Sequence, residues 1–436
     1  MEYNLTPDEI LNEIDKIRKE RNLPKDERVK ELSKFEIDNL PTIPDNWKWV
    51  IINDISEFIT NGVHTPTSEE DENGFGLHCL RITDIKENGN IDYKNLPYCL
   101  RIVAGDYDKK LKKDDIYFSF TGNNLGKRYI VKETREDTVF AHYFVRWHPI
   151  LVDPYYIYYV THSKIYDYFI TANKHGSTQP NLKVMDLKRF PIPLCDLNIQ
   201  RKISKILKNI DEKIELNNKT NDNLFELGDT LYKEFYSQYE NRLPNGYKYL
   251  NLNEVSVNFD AKRKPMSSRE REQHKGKYPY YGATSIIDYV DDYIFNDTYL
   301  LMGEDGTVKT SEGYPVLQYI WGKNWINNHA HVLQGTIIST EHLMFALRKK
   351  NIEALITGAV QPKINQVNMN KIKVIIGTDE INKRFEDEIK VIVAKIKENI
   401  IENEILEQLR DTLLPKLMNG EIDLDKIEIK SDKLWF

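Results

Sequence analysis

Apolar residues recur every three or four positions along two long tracts. In the first, Ile199, Ile203, Ile206 and Ile210 are followed by Leu224, Leu227 and Leu231. In the second, Ile381, Phe385, Ile389, Ile392 and Ile396 are followed by Leu406, Leu409 and Leu413. That spacing lays one apolar stripe along a helix and is close to the heptad spacing of paired helices. Thr378 with Asp379 and Glu380 offers the second tract a cap and an acidic first turn, and Gly420 a stop. Helices over 199–236 and 381–418 would each run about 38 residues, roughly 57 Å at 1.5 Å per residue. Such length exceeds that of ordinary globular helices and suits a spacer whose matching stripes bury one another. Asparagine interrupts both stripes near their midpoints, at Asn217 and Asn399. A polar seam residue specifies register at some cost in stability, so these two are expected to face one another in an antiparallel pair.

Outside the tracts the period changes. "LHCLRITDI", "KDDIYFSF" and "DTYLLMGED" read as strands broken by Gly, Asn and Asp turns. "DPYYIYYVTHSKIYDYFI", from Asp153, predicts one helix whose tyrosines mostly serve the core. Near the start, Ile10, Leu11, Ile14 and Ile17 predict an amphipathic helix within residues 1–40. It would dock on the spacer or on a partner, the alternative being a partly ordered tail.

The chain also repeats itself. "GSTQPNLKVMDL" at Gly176 returns as "GAVQPKINQVNM" at Gly358, and "GDTLYKEF" at Gly228 as "RDTLLPKL" at Arg410, both 182 positions on. The front ends match at an offset of 200: "IPDNWKWVIINDIS" from Ile43 and "LPNGYKYLNLNEVS" from Leu243. Two related frames therefore enclose interiors of different length and content, and a repeat of this period must be recognised before any motif is interpreted.

At 436 residues and 40% hydrophobic content, two or more cores are expected. No apolar run is long enough to span a bilayer, and the charged N-terminus lacks a signal-peptide apolar region. Cys79, Cys99 and Cys195 form no CxxC pair, which suits a reducing, cytoplasmic setting. The net charge of −7 argues against a free-standing nucleic-acid binder but not against a local basic face. "TGNNLGKR" at Thr121 is not a P-loop, since three residues rather than four separate Gly122 from Gly126 and Arg128 follows Lys127. It reads as a turn between strands whose amides and cations could still meet DNA. His329 and His331, two apart, would share one face of a strand, and no Cys or His cluster completes a metal site. The strongest charge signal is "DAKRKPMSSREREQHKGKYPYYGA" from Asp260. Its cations offset phosphates, and its arginines and tyrosines can read base edges.

These entry and exit motifs, with "KYPYYGATSIIDYVDDYIF" and "YLLMGEDG" between them, resemble the specificity subunit of type I restriction-modification systems. The resemblance covers nearly all of residues 41–420. It departs at "VIIGTDEINKRF", where the family usually shows a proline-rich strand followed by Gln. It implies an α/β fold: two α/β target recognition domains separated by two long helices that pair as an antiparallel coiled coil, with a pseudo-twofold internal repeat. The implied segments are an N-terminal extension (1–40), a first recognition domain (41–194), a spacer helix (195–236), a second recognition domain (237–377), a second spacer helix (378–420) and a tail (421–436). It further implies a non-catalytic subunit that recognises a bipartite double-stranded DNA target. Such a subunit recruits two methyltransferase subunits and restriction subunits. S-adenosylmethionine and ATP are expected on those partners, and no cofactor or metal on this chain. Expected DNA contacts are His64, Thr65, Arg81, Asn123, Asn124, Lys127 and Arg128 in the first domain. In the second they are Lys262, Arg263, Lys264, Arg269, Lys275 and Tyr281. A free-standing DNA-modifying enzyme would need a motif such as Asn-Pro-Pro-Tyr, which is absent. A scaffold without a DNA role would leave the basic, aromatic interior unexplained.

Overall fold

In the computed structural model, residues 4–23, 25–85, 91–176, 180–358 and 361–424 are described. Gln179 of the repeated motif and the end of the tail, from residue 425, lie outside the described residues. Two compact units emerge. Unit 1 comprises Met1–Ile214 with Glu404–Phe436, and unit 2 comprises Glu215–Asn403.

Each unit opens and closes on a two-stranded antiparallel ribbon. In unit 1, Lys48–Ile51 pairs with Pro191–Leu194, Lys48 opposite Leu194. In unit 2, Lys248–Asn251 pairs with Lys373–Ile376, Lys248 opposite Ile376. The two offsets of the repeat, 200 at the front and 182 at the back, thus reappear as strand register. Inside each ribbon lies an antiparallel four-stranded sheet of one topology. Its order in unit 1 is Ser56–Asn61, Phe144–Pro149, Ile116–Ser119, Arg128–Ile130. In unit 2 it is Ser256–Asn258, Ala330–Gly335, Tyr299–Gly303, Leu317–Ile320. The contents then diverge. Unit 1 adds a five-stranded sheet in which His78–Leu80 runs parallel to Arg135–Phe140. Unit 2 adds a four-stranded sheet in which Lys275–Tyr281 runs parallel to Lys323–Ile326.

Separate cores hold the units. Trp147, Phe118, Tyr156 and Tyr166 are fully buried in the first, and Leu300, Met302, Leu343 and Phe345 in the second. The tyrosine-rich segment forms two helices, Pro154–Val160 and Lys164–Asn173, rather than the single expected one. The break has a local cause. Thr161 Oγ1 donates to the Tyr158 carbonyl at 2.6 Å and Ser163 Oγ to that of Val160 at 2.7 Å, while Ser163 itself turns extended at ψ 160°. Such side chains offer the backbone an alternative to continued helix.

Residues 4–23 of the N-terminal segment belong to unit 1 and contain the expected helix. Thr6 and Glu9 form a capping box on the helix Pro7–Arg21. Ile10 and Ile14 enter the core, and Arg18 donates to the carbonyls of Asn53 and Ser56 at 2.7 and 2.8 Å. The Leu5 carbonyl accepts the Leu197 amide at 2.9 Å, at the start of the first long helix.

That helix spans Leu197–Phe235 and the second Asp379–Met418. They pair antiparallel: Arg410 meets Asp211 at 2.9 Å within unit 1, and Tyr236 meets Asn382 at 3.0 Å within unit 2. Asn217 and Asn399 are both buried, at 3% and 2% exposure. Asn217 Nδ2 donates to Asn403 Oδ1 at 2.9 Å and to Glu402 Oε2 at 2.8 Å, and Asn399 Nδ2 donates to Asn221 Oδ1 at 2.8 Å. The expected direct pair is thus replaced by a crossed one. Hydrogen-bonded partners here have residue numbers adding to about 620, whereas 217 and 399 add to 616, one helical turn short. Asn221 and Asn403 are themselves 182 apart, so the two bonds are copies of each other.

Candidate nucleic-acid interface

Four chain segments meet at one end of each four-stranded sheet. In unit 1 they are the loop leaving the first strand, the turn Phe120–Lys127, the turn His142–Tyr143 and the segment Pro180–Leu182. Backbone bonds tie them: His142 N to Val63 O at 2.8 Å, Phe120 N to Tyr143 O at 3.4 Å, Leu182 N to Phe120 O at 2.9 Å and Gly122 N to Pro180 O at 2.7 Å. Unit 2 repeats three of the four. Glu304 N bonds His329 O at 2.8 Å, Ile364 N bonds Glu304 O at 3.0 Å and Gly306 N bonds Pro362 O at 3.0 Å. The proline of each Gln-Pro motif therefore offers its carbonyl to a glycine at the turn's apex. Gly122 and Gly306 have φ of 68° and 76°, the left-handed region that favours glycine. Beyond the adjoining residues, nothing lies within 4 Å of where a Cβ would sit at either, so backbone conformation alone selects the residue.

Most of the sequence-predicted residues of unit 1 gather at this edge. His64 is exposed, its Nδ1 3.2 Å from that of His142. Thr65 Oγ1 accepts the Arg101 amide at 2.8 Å. Asn123 and Lys127 stand exposed on the turn, and the half-buried Asn124 accepts the Lys127 amide at 3.0 Å. Arg81 follows Leu80, whose carbonyl accepts the Ala141 amide at 2.9 Å; its guanidinium grips Asp84 through bonds of 3.0 and 2.7 Å. Arg128 points away. It lies 5.0 Å over the Tyr166 ring and 3.9 Å from Asp167, a packing position rather than a reading one. Sequence reasoning missed Arg101, His142 and Tyr143, which only the fold brings to the edge.

In unit 2, Lys262 and Lys264 are exposed at the corresponding loop. The Lys264 carbonyl accepts the Trp325 indole at 2.6 Å, and the Lys262 ammonium lies 4.8 Å over Phe259. Arg263, between them, turns inward. Its side chain is 12% exposed and bonds Glu304 at 2.7 Å, the Ala330 carbonyl at 2.6 Å and, more loosely, Asp260 at 3.5 Å. Tyr281 reaches the edge through its carbonyl, which accepts the Asn327 amide at 3.1 Å. Arg269 is exposed on the short helix Ser268–Gln273. Lys275 is not brought in: it begins the strand that ends at Tyr281, about 20 Å away at 3.3 Å per residue, and pairs with Asp288 at 2.7 Å. The residues missed are Asp305, Thr307, His329 and Lys363.

The two histidines do not share a strand face, because the strand starts at Ala330 and His329 stays in the turn. His331 is buried, with Nδ1 2.6 Å from Asp260 Oδ2 and Nε2 2.9 Å from the Ile364 carbonyl. Burial pushes the Asp260 carboxyl up. The bonds from His331 and the Val332 amide outweigh it and leave the group below the usual carboxylate range. Asp260, Glu304 and His331 bring ligand-type atoms within 4.8 Å of one another. Positive charge at this cluster comes from Arg263 and from Lys363, 3.3 Å from Glu304.

The sequence profile of the type I restriction modification DNA specificity domain matches the chain twice, at residues 44–226 and 244–411. The type I restriction enzyme MjaIX specificity subunit of Methanocaldococcus jannaschii is 22% identical over 308 residues, 62% of this chain and 70% of the relative. The HindI specificity subunit of Haemophilus influenzae is 22% identical over 475 residues, 86% of this chain and all of the relative. Among solved structures, the type I restriction-modification S subunit from M. genitalium superposes with a TM-score of 0.53 at 18% identity, covering 86% of this chain and 96% of that one. At that identity the likeness is one of fold.

Proposed function

Since this chain belongs to the type I restriction-modification DNA specificity family, we propose that each unit reads one half of a split duplex target through its four-segment edge. One observation supports this reading: three of the four backbone hydrogen bonds that build the edge recur in both units, while the side chains on it differ. A constant frame with exchangeable contents is what independent reading of two half-sites requires. In this reading the exposed Lys127, Lys262 and Lys264 meet phosphates, which fix position. His64, Asn123, Tyr143, Thr307 and His329 are the residues it assigns to base edges, which carry sequence.

The chain is non-catalytic in this reading. Its work is recognition, and chemistry belongs to partners: two methyltransferase subunits carrying S-adenosylmethionine and restriction subunits using ATP, in the cytoplasm. Among the described residues no helix is long and apolar enough to cross a membrane.

Exchange of residues 41–194 for the same region of a relative tests the proposal. Sequencing of methylated bases in cells carrying the chimera is expected to show one half of the target changed and the other kept. A change in both halves would overturn independent reading.

A further inference from the structure

A carboxylate at a DNA-facing edge is unfavourable beside phosphates unless it meets a donor. Unit 2 places one there. Asp305 stands where unit 1 has Thr121: each forms an isolated bridge with the residue after the Gln-Pro proline, Lys363 and Asn181 respectively. Its side chain is 18% exposed, and one oxygen, Oδ1, is held by His329 Nδ1. Among the described residues the other oxygen, Oδ2, takes no hydrogen bond. The backbone beneath is fixed, since Gly306 follows at φ 76° with its amide on the Pro362 carbonyl. The neighbouring Thr307 is exposed, and Lys262 and Lys264 flank the same edge. The carboxylate is thus pre-positioned, half engaged, and free to accept one more hydrogen bond.

We propose that Asp305, oriented by His329, is a specificity-determining residue for the second half-site. Its free oxygen accepts a hydrogen bond from an exocyclic amino group in the major groove. Only cytosine N4 and adenine N6 present such a donor there. Guanine O6 and thymine O4 are acceptors that a carboxylate rejects. In unit 1 a threonine hydroxyl, able to donate or accept, holds the corresponding place and imposes no such exclusion. The inference rests on the edge facing DNA.

The test uses the chain assembled with its methyltransferase subunits and duplexes bearing its methylated sequence. Each cytosine or adenine of the second half-site is replaced in turn by 2-pyrimidinone or purine, which lack only the amino group. At one position the unsubstituted complex is expected to lose about 10-fold or more in affinity, a good base contact being worth roughly 1–3 kcal/mol. The same replacement is expected to cost the D305A complex nothing further, and which analogue acts identifies the base. Equal losses in both complexes at every position would overturn the assignment. Should D305A fail to assemble, D305N keeps shape and removes charge. Having both donor and acceptor, it is expected to weaken the exclusion of guanine and thymine, and an unchanged exclusion would count against the proposal. Lys262 and Lys264 replaced together by Ala separate the two claims. If they weaken binding while Asp305 is silent, only this assignment fails; if neither matters, the edge does not face DNA.

Discussion

Cations in one basic run serve opposite purposes. Lys262 and Lys264 are exposed, whereas Arg263 bonds to Glu304 and the Ala330 carbonyl. Replacing Lys262 and Lys264 by Ala is therefore expected to weaken DNA binding and reduce its salt slope by about 2, near 0.9 for each phosphate no longer neutralised. Thermal stability should stay unchanged. Arg263→Ala should do the reverse, lowering stability by about 3 kcal/mol because Glu304 and Asp260 lose a buried counter-charge. Binding titrations at several salt concentrations, with thermal melts of the same complexes, check both. Equal effects of the two substitutions would refute the division. Sequence alone shows a basic, aromatic interior, but not which cation turns inward. The residues that decide this, Glu304 and Ala330, lie 41 and 67 positions away. Arg128 and Lys275 were legible as cations and illegible as packing and pairing groups for the same reason.

Among the elements, the frame was the most legible part, because spacing and repetition record it directly: two stripes, two entry motifs and two Gln-Pro motifs. The interiors were less so, since their strands pair across the frame and leave only short apolar runs. The tyrosine segment shows how a helical pattern breaks where Thr and Ser bond back to the main chain. At the helix seam, sequence pointed to Asn217 and Asn399, but the partner of each depends on a register that periodicity does not reveal. Asn217 bonds Asn403, and Asn399 bonds Asn221. Asn217→Leu is expected to cost about 1–3 kcal/mol, because it strands the buried Asn403 oxygen. Leucine at 217, 221, 399 and 403 together removes both crossed pairs and leaves only the half-buried Asn218 amide oxygen, which loses its bond from Asn403 Nδ2, so it should raise stability above the single variant while loosening register. Denaturant midpoints of the two variants decide the matter, and a stabilising single substitution would show that the crossed pair does not matter.

For the whole molecule, each unit carries an imidazole that resists protonation, half-buried His162 in unit 1 and buried His342 in unit 2, and both contribute to how the chain meets acid. In unit 1, burial, aided by the nearby Arg128, pushes His162 down to about 3. In unit 2, burial holds His342 below its usual value even though Glu386 pulls the other way. An unfolded histidine binds its proton near pH 6.5. As pH falls below that, the unfolded chain takes up protons that the native state refuses, so stability falls with pH. The loss approaches roughly 1.4 kcal/mol per pH unit for each such histidine and continues until the folded group itself titrates. Carboxylates act lower. Asp288, drawn down to about 2 chiefly by its bond from Lys275, gives stability that is present above about pH 4 and lost as pH falls towards 2. Between pH 7.5 and 5, then, the histidines should govern the slope. Unfolding free energies across that range are expected to decline for the unaltered chain and to decline less for His162→Asn and for His342→Asn. Each variant should remove its own share, because the two histidines belong to different units. A slope that neither substitution changes would mean that these two imidazoles do not contribute to the response to acid.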